Sequence, residues 1–147
     1  MGHGMNKIWL AIGAAAVVAG GFGMTRLGDD APKTATPEAG STAIASVTVP
    51  DTLSANAVIG KTVYDAKCAA CHAPSGVGQV DMAPPLVHII YEPSHHGDEA
   101  FQRAAAFGVR AHHWRFGDMP PVKGVTRGDV TMVVAYIREL QRANGIN

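Results

Sequence analysis

The spacing of apolar and polar residues divides the chain into three parts. Residues 8–24 carry no charge and are mostly apolar; as a helix they would span roughly 25 Å, slightly less than the ~30 Å core of a bilayer. Residues 27–53 are rich in Ala, Thr, Pro and Gly and show no apolar periodicity, which predicts a flexible linker. From residue 54 onward apolar positions recur at helical spacing, so residues 54–147 are predicted to fold as a domain.

Helices account for most of the order predicted in that domain. Loops rich in Pro and Gly join them, with a short turn expected at 86–91, and no segment shows the alternation typical of a strand. The fold class is therefore predicted to be all-α. Three segments carry both helical spacing and end signals: 54–67, capped by Ser54; 94–107, stopped by Gly108; and the stretch from the Thr126-x-x-Asp129 capping box to Gly145.

The uncharged N-terminal segment has two interpretations. Val17-Val18-Ala19 offers the small-residue site at which a secretory signal is cleaved. The apolar run continues to Met24, however, which is longer than the usual apolar region of a signal peptide and favours a retained membrane anchor. We therefore predict an anchor or a signal peptide over residues 1–26, and either one sends the rest of the chain across the membrane.

Charge and cysteine content narrow the chemistry. The 147 residues contain 12 Lys and Arg against 12 Asp and Glu, so nothing indicates a nucleic-acid partner. The two cysteines lie in one short stretch, where a disulfide would gain little from loop closure. A zinc site would need two further ligands of suitable spacing.

The stretch Cys68-Ala69-Ala70-Cys71-His72 has the spacing of a covalent haem attachment site. Two thiols three residues apart can add to the two vinyl groups of one porphyrin, and the next residue then offers its imidazole to the iron. A thioredoxin-type pair would follow a strand and open a helix, whereas here a helix precedes the motif and a Pro/Gly loop follows it. A buried porphyrin would also supply apolar mass that the few aromatic residues do not.

From this motif, residues 54–147 resemble the class I cytochrome c family, and most closely its membrane-anchored bacterial members. The resemblance implies three main helices around one covalent haem c. It also implies that Gly60 and Tyr64 of the first helix meet an aromatic residue of the last, for which Tyr136 is the candidate. The carbonyl of Pro84, or less favourably Pro85, would accept the ring N–H of His72.

The sixth iron ligand is predicted to be Met119, in a Gly-Asp-Met-Pro-Pro loop of the kind that places the family's methionine. Met82 follows His72 by only ten residues and has little chain with which to cross the porphyrin edge. Trp114 and Arg115 are candidates to face a propionate. Four histidines remain as alternative iron ligands, as copper ligands, or as surface groups and propionate partners: His95, His96, His112 and His113.

His72 and Met119 together would leave no open position on the iron. The resemblance therefore implies a one-electron carrier rather than an enzyme, with no small-molecule substrate. Expected partners are a membrane quinol-oxidising donor and a terminal oxidase or reductase as acceptor. The expected location is the periplasmic side of a bacterial inner membrane, or the soluble periplasm after cleavage. The rivals are a haem-based sensor with a displaceable Met119 and a copper-handling protein.

Overall fold

The computed structural model describes residue 1, the backbone of residues 33–35, and residues 41–147. The predicted anchor or signal at 8–24 lies outside these residues. Among the described helices, none has the length and apolar character needed to cross a bilayer. The elements are β1 (Lys33–Ala35), β2 (Val47–Val49), α1 (Ala55–Lys67), α2 (Ala69–His72), α3 (Asp98–Phe107) and α4 (Arg127–Ala143), with single 3₁₀ turns at Pro74–Gly76 and Ile89–Tyr91.

Helices α1 and α4 begin at side chains that the sequence marks as caps. The Ser54 hydroxyl accepts a hydrogen bond from the amide of Ala57 at 3.3 Å. At α4, the Thr126 hydroxyl accepts from the Asp129 amide at 3.1 Å, while the Asp129 carboxylate accepts from the Thr126 amide at 2.8 Å. These bonds satisfy amides that have no partner within the helix, so both starts follow the prediction.

The centre of the domain is the crossing of α1 and α4. Tyr64 and Tyr136 are fully buried there, with ring centroids 5.5 Å apart. At Gly60 the α1 backbone lies against the α4 backbone, where an added Cβ would overlap the Met132 carbonyl group and lie 3.0 Å from the Val133 amide nitrogen. The glycine therefore permits the close approach that brings the two tyrosines together.

Helix α3 is shorter than the predicted 94–107, because it begins at Asp98 with Gly97 as its N-cap. The His96 carbonyl, which a longer helix would use internally, instead accepts from the guanidinium of Arg138 at 2.5 Å. Arg138 is almost fully buried and also donates to Asp98 at 2.9 Å and to the Tyr91 carbonyl at 2.7 Å. A tertiary contact thus replaces the first predicted turn of the helix.

The N-terminal segment, residues 41–53, packs against the domain, so the predicted linker is wrong over that range. Val47 is fully buried in the core, and β2 pairs with β1 in a short antiparallel ladder that the all-α prediction did not include. Thr48 and Asn144 exchange two hydrogen bonds of 2.8 Å, which join the segment to the end of α4. Three-residue strands are too short to produce a visible alternation in the sequence.

Candidate functional site

The two cysteines and His72 lie at the junction of α1 and α2. The Cys68 amide closes α1 by donating to the Tyr64 carbonyl at 2.8 Å, and the chain then forms the single turn of α2. All three side chains line one cavity of about 740 Å³. Burial, and then the neighbouring Cys71, raise the pKa of Cys68 to about 11, so its thiol stays protonated at neutral pH.

The imidazole of His72 is buried and oriented by the Pro84 carbonyl, to which its Nδ1–H donates at 2.9 Å. This bond leaves Nε2 as the nitrogen with a free lone pair. Burial lowers the pKa of His72 and the Pro84 carbonyl only partly offsets it, so the ring is neutral, the form that binds a metal. The structure thus brings His72 and Pro84 together as proposed from the sequence, and the accepting carbonyl is that of Pro84 rather than Pro85.

Gly78 and Gln79 hold this arrangement, and neither residue was predicted to belong to the site. Gly78 has a positive φ of 73°, and an added Cβ would come within 2.8 Å of the Pro84 carbonyl carbon. Its backbone amide donates to the His72 carbonyl at 2.9 Å. Gly78 thus holds the segment around Pro84 and Pro85 close to the segment that carries His72. The side-chain amide of Gln79 donates to the carbonyls of Ala70 and Cys71 at 3.0 and 2.8 Å. In the sequence both look like ordinary loop residues.

Met119 reaches the same cavity from the loop between α3 and α4. Its backbone pairs with Val109 through two hydrogen bonds of 2.9 Å, which closes the loop into a hairpin-like turn. The half-buried Met119 and the more exposed Met82 both line the cavity. The structure therefore gathers His72 and both methionines around one space, and Met82 is the more exposed of the two methionines, at 55%.

Trp114 supplies a polar group to the cavity lining. Its Nε1 is buried and makes no hydrogen bond within the described part of the chain. The Tyr91 hydroxyl is nearby, but its geometry with the indole is not that of a hydrogen bond. Burial raises the pKa of Tyr91, and the neighbouring indole partly offsets that rise. An unpaired buried N–H suits a carboxylate oxygen of a bound group. Arg115 is exposed and does not line the cavity, so the structure does not place it there as predicted.

The cavity suits a large planar cofactor with an iron centre. Its volume is within the usual range of about 300–1,000 Å³ for cofactor sites. Two thiols, a neutral imidazole and a thioether are a donor set that a covalently attached haem can use. Most of the remaining lining is apolar and comes from α1, α3, α4 and the two loops, including Val63, Leu86, Phe101, Val130 and Val133.

Comparison with known proteins identifies the family of the helical domain. No curated protein and no solved structure matches the chain. A family model described as Cytochrome c matches residues 57–141, more than half of the chain and nearly all of the helical domain. The chain therefore belongs to the cytochrome c family, and its cofactor is a covalently bound haem c with its iron.

Proposed function

We propose that the chain is a monohaem class I cytochrome c that carries single electrons, with haem bonded to Cys68 and Cys71 and iron ligated by His72 and Met119. The observation that carries the proposal is the convergence of these four side chains on one cavity. Their positions in the chain support it, since the attachment motif and the Met119 loop come from separate parts of the fold.

The haem supplies the chemistry, which is a one-electron change at the iron. The chain sets the conditions for that change. The Pro84 carbonyl accepts a hydrogen bond from the Nδ1–H of His72, which makes Nε2 a stronger donor to a metal. The thioether of Met119 favours ferrous iron and so raises the reduction potential. The mostly apolar lining would limit contact between the bound group and water, and the Trp114 N–H is available to a propionate.

We further propose that the domain works at a membrane. The support is the uncharged run 8–24, which suits an anchor that would keep the haem domain on the periplasmic side of a bacterial inner membrane. A quinol-oxidising complex would be the donor and a terminal oxidase or reductase the acceptor. If the run is instead a cleaved signal, the carrier is soluble in the periplasm.

Two variants test the haem ligation. The oxidised protein should show the weak near-infrared absorption of a sulfur–iron bond, and Met119→Ala should remove it. Met82→Ala is the matched control, because it removes a thioether that lines the cavity while leaving the proposed ligand. Loss of the band in Met82→Ala alone would assign the ligand to the other loop.

Two further measurements test attachment and carrier function. Replacing Cys68 and Cys71 together by Ala should abolish haem that survives denaturation, and denatured double variant that still carries haem would contradict the proposed attachment. Ferrous protein should bind carbon monoxide slowly or not at all, because Met119 holds the sixth position. Rapid binding would support the sensor alternative instead.

A further inference from the structure

Four histidines that the proposed carrier function does not use gather at one edge of the haem cavity. His95 and His96 lie in the turn before α3, and His112 and His113 lie in the loop that carries Met119. The ring centroids of His95 and His113 are 5.3 Å apart, as are those of His96 and His113. His112 packs on His113 at 4.2 Å. Two segments far apart in sequence thus bring their imidazoles to one place.

The spacing of the nitrogens matches that of ligands on one metal ion. The Nε2 atoms of His95 and His113 are 3.4 Å apart. In a tetrahedral site with metal–nitrogen bonds of about 2.0–2.1 Å, neighbouring nitrogens lie about 3.3–3.4 Å apart. One ligand atom from each of His95, His96 and His113 lies within 4.8 Å of the others. Rotation of the exposed His95 and His113 side chains would bring the three nitrogens to the distances of a metal site.

Two of the rings are held in the orientation and tautomer that ligation needs. The Nδ1–H of His96 donates to the Ile90 carbonyl at 2.6 Å, and the Nδ1–H of His112 donates to the Arg110 carbonyl at 2.8 Å. In each neutral ring the free lone pair is then on Nε2. Such outer hydrogen bonds are the usual support of metal-binding histidines. Arg138 donates a hydrogen bond to the His96 carbonyl and so fixes the backbone at His96.

We propose that His95, His96 and His113 bind one divalent transition-metal ion, with His112 as a neighbouring fourth imidazole. The donor set contains only imidazole nitrogen, which suits Zn²⁺ and Cu²⁺ and not Mg²⁺ or Ca²⁺. Cu²⁺ should bind more tightly than Zn²⁺, following the general order of divalent affinities. A bound ion joins the start of α3 to the Met119 loop, so this site also restrains the loop that carries the proposed iron ligand.

The test is a titration of the haem-loaded full chain with Zn²⁺ followed by calorimetry, and with Cu²⁺ followed by electron paramagnetic resonance. All proteins carry His3→Ala, because His3 is a separate imidazole near the N-terminus. One Zn²⁺ should bind per chain, and Cu²⁺ should show nitrogen hyperfine splitting. His95→Ala and His113→Ala change exposed side chains and should each weaken binding about tenfold or more, and the double variant should abolish saturable binding.

His88→Asn is the matched control. His88 lies outside the cluster and caps the turn at Ile89–Tyr91 through a side-chain acceptor, which asparagine can replace. Unchanged metal affinity in this control and weakened affinity in the cluster variants would support the site. Equal affinity in the double variant would overturn it. Loss of the low-spin haem spectrum in the double variant would also overturn it, because the histidines would then serve the haem. The near-infrared band of Met119 should persist in that variant, which separates this proposal from the proposed ligation.

Discussion

Replacing Gly60 by alanine should weaken the α1–α4 crossing more than any gain in helix propensity can offset. The new Cβ would overlap the carbonyl carbon and oxygen of Met132, which are backbone atoms and cannot rotate away. The two helices would have to separate by roughly 1 Å, and a gap of that size forfeits about a quarter to a half of each dispersion contact across it. The buried pair of Tyr64 and Tyr136 lies at this crossing and would loosen first.

The expected loss of stability follows from two opposing effects. Overpacking of a close contact costs typically 1–3 kcal/mol, and a backbone obstacle places Gly60→Ala near the upper end, at about 3 kcal/mol. Alanine regains about 1 kcal/mol over glycine inside a helix. The net loss is about 2 kcal/mol, which corresponds to a fall of roughly 8–16 °C in the melting temperature of a domain of this size.

The assay is thermal and guanidinium unfolding of the haem-loaded protein, followed by circular dichroism. Gly128→Ala is the matched control, since Gly128 also lies in a helix, α4, but its added Cβ would meet only the Thr126 hydroxyl at an ordinary 3.6 Å. That control should be neutral or slightly stabilising. If Gly60→Ala is as stable as the wild type and Gly128→Ala, the close backbone contact does not exist in solution and the reasoning fails.

Three further predictions concern other contacts. Tyr64→Phe removes the hydroxyl that donates to the Ala73 carbonyl at 2.7 Å, and should lower the free energy of unfolding by about 1–3 kcal/mol because a buried acceptor loses its partner. Bonds from the Thr126 amide and hydroxyl lower the pKa of Asp129, so its contribution to stability is present above its ordinary value of 3.8 and disappears as pH falls through the lowered value. Asp129→Asn should therefore be less stable than the wild type at neutral pH and equally stable in strong acid, as measured by denaturation across pH. Protein made in its host should sediment with membranes and resist salt and alkaline extraction because of residues 8–24.

A control variant or a contradicting result can be named for each of these three predictions. Tyr136→Phe is the control for Tyr64→Phe, since within the described residues the buried Tyr136 hydroxyl forms no hydrogen bond of normal geometry. The nearby Ser75 only offsets part of the rise that burial causes in the pKa of Tyr136. Equal losses from the two variants would argue against the Ala73 bond. A stability deficit of Asp129→Asn that stays constant with pH would contradict the charge effect. A mature N-terminus at Gly20 would identify residues 1–19 as a cleaved signal.

The parts of the fold that depend on local signals were predictable. Ser54 and the Thr126–Asp129 box mark helix starts because a cap acts within three residues of the chain. The attachment motif is equally local, since the spacing of two thiols and one imidazole within five residues is enough to indicate haem attachment. The Met119 loop could be placed between two helices by its glycines and prolines, and the structure brings it to the cavity that His72 also lines.

The parts that depend on distant contacts were not predictable. Helix α3 starts later than predicted because the guanidinium of Arg138 donates to the His96 carbonyl. Arg138 also bonds Asp98, forty residues away in sequence. The crossing at Gly78 is determined by Pro84 and Pro85 on another part of the loop, so the residue looks like any turn glycine. The histidine cluster likewise requires two segments to meet in space, which no spacing within either segment reveals.

Residues 41–53 also determine how mechanical load on the N-terminal side of the chain would reach the haem domain. The amides of Ile44 and Ala45 both donate to the Val77 carbonyl, at 3.2 and 2.9 Å, and Thr48 exchanges its two bonds with Asn144. The residues of this segment precede α1, so a pull from upstream must break these bonds before tension reaches α1. Until they break, the load passes through Val77 to the loop that follows His72, and through Asn144 to the end of α4. The segment therefore protects α1 from a pull while coupling that pull to the other end of the helix crossing.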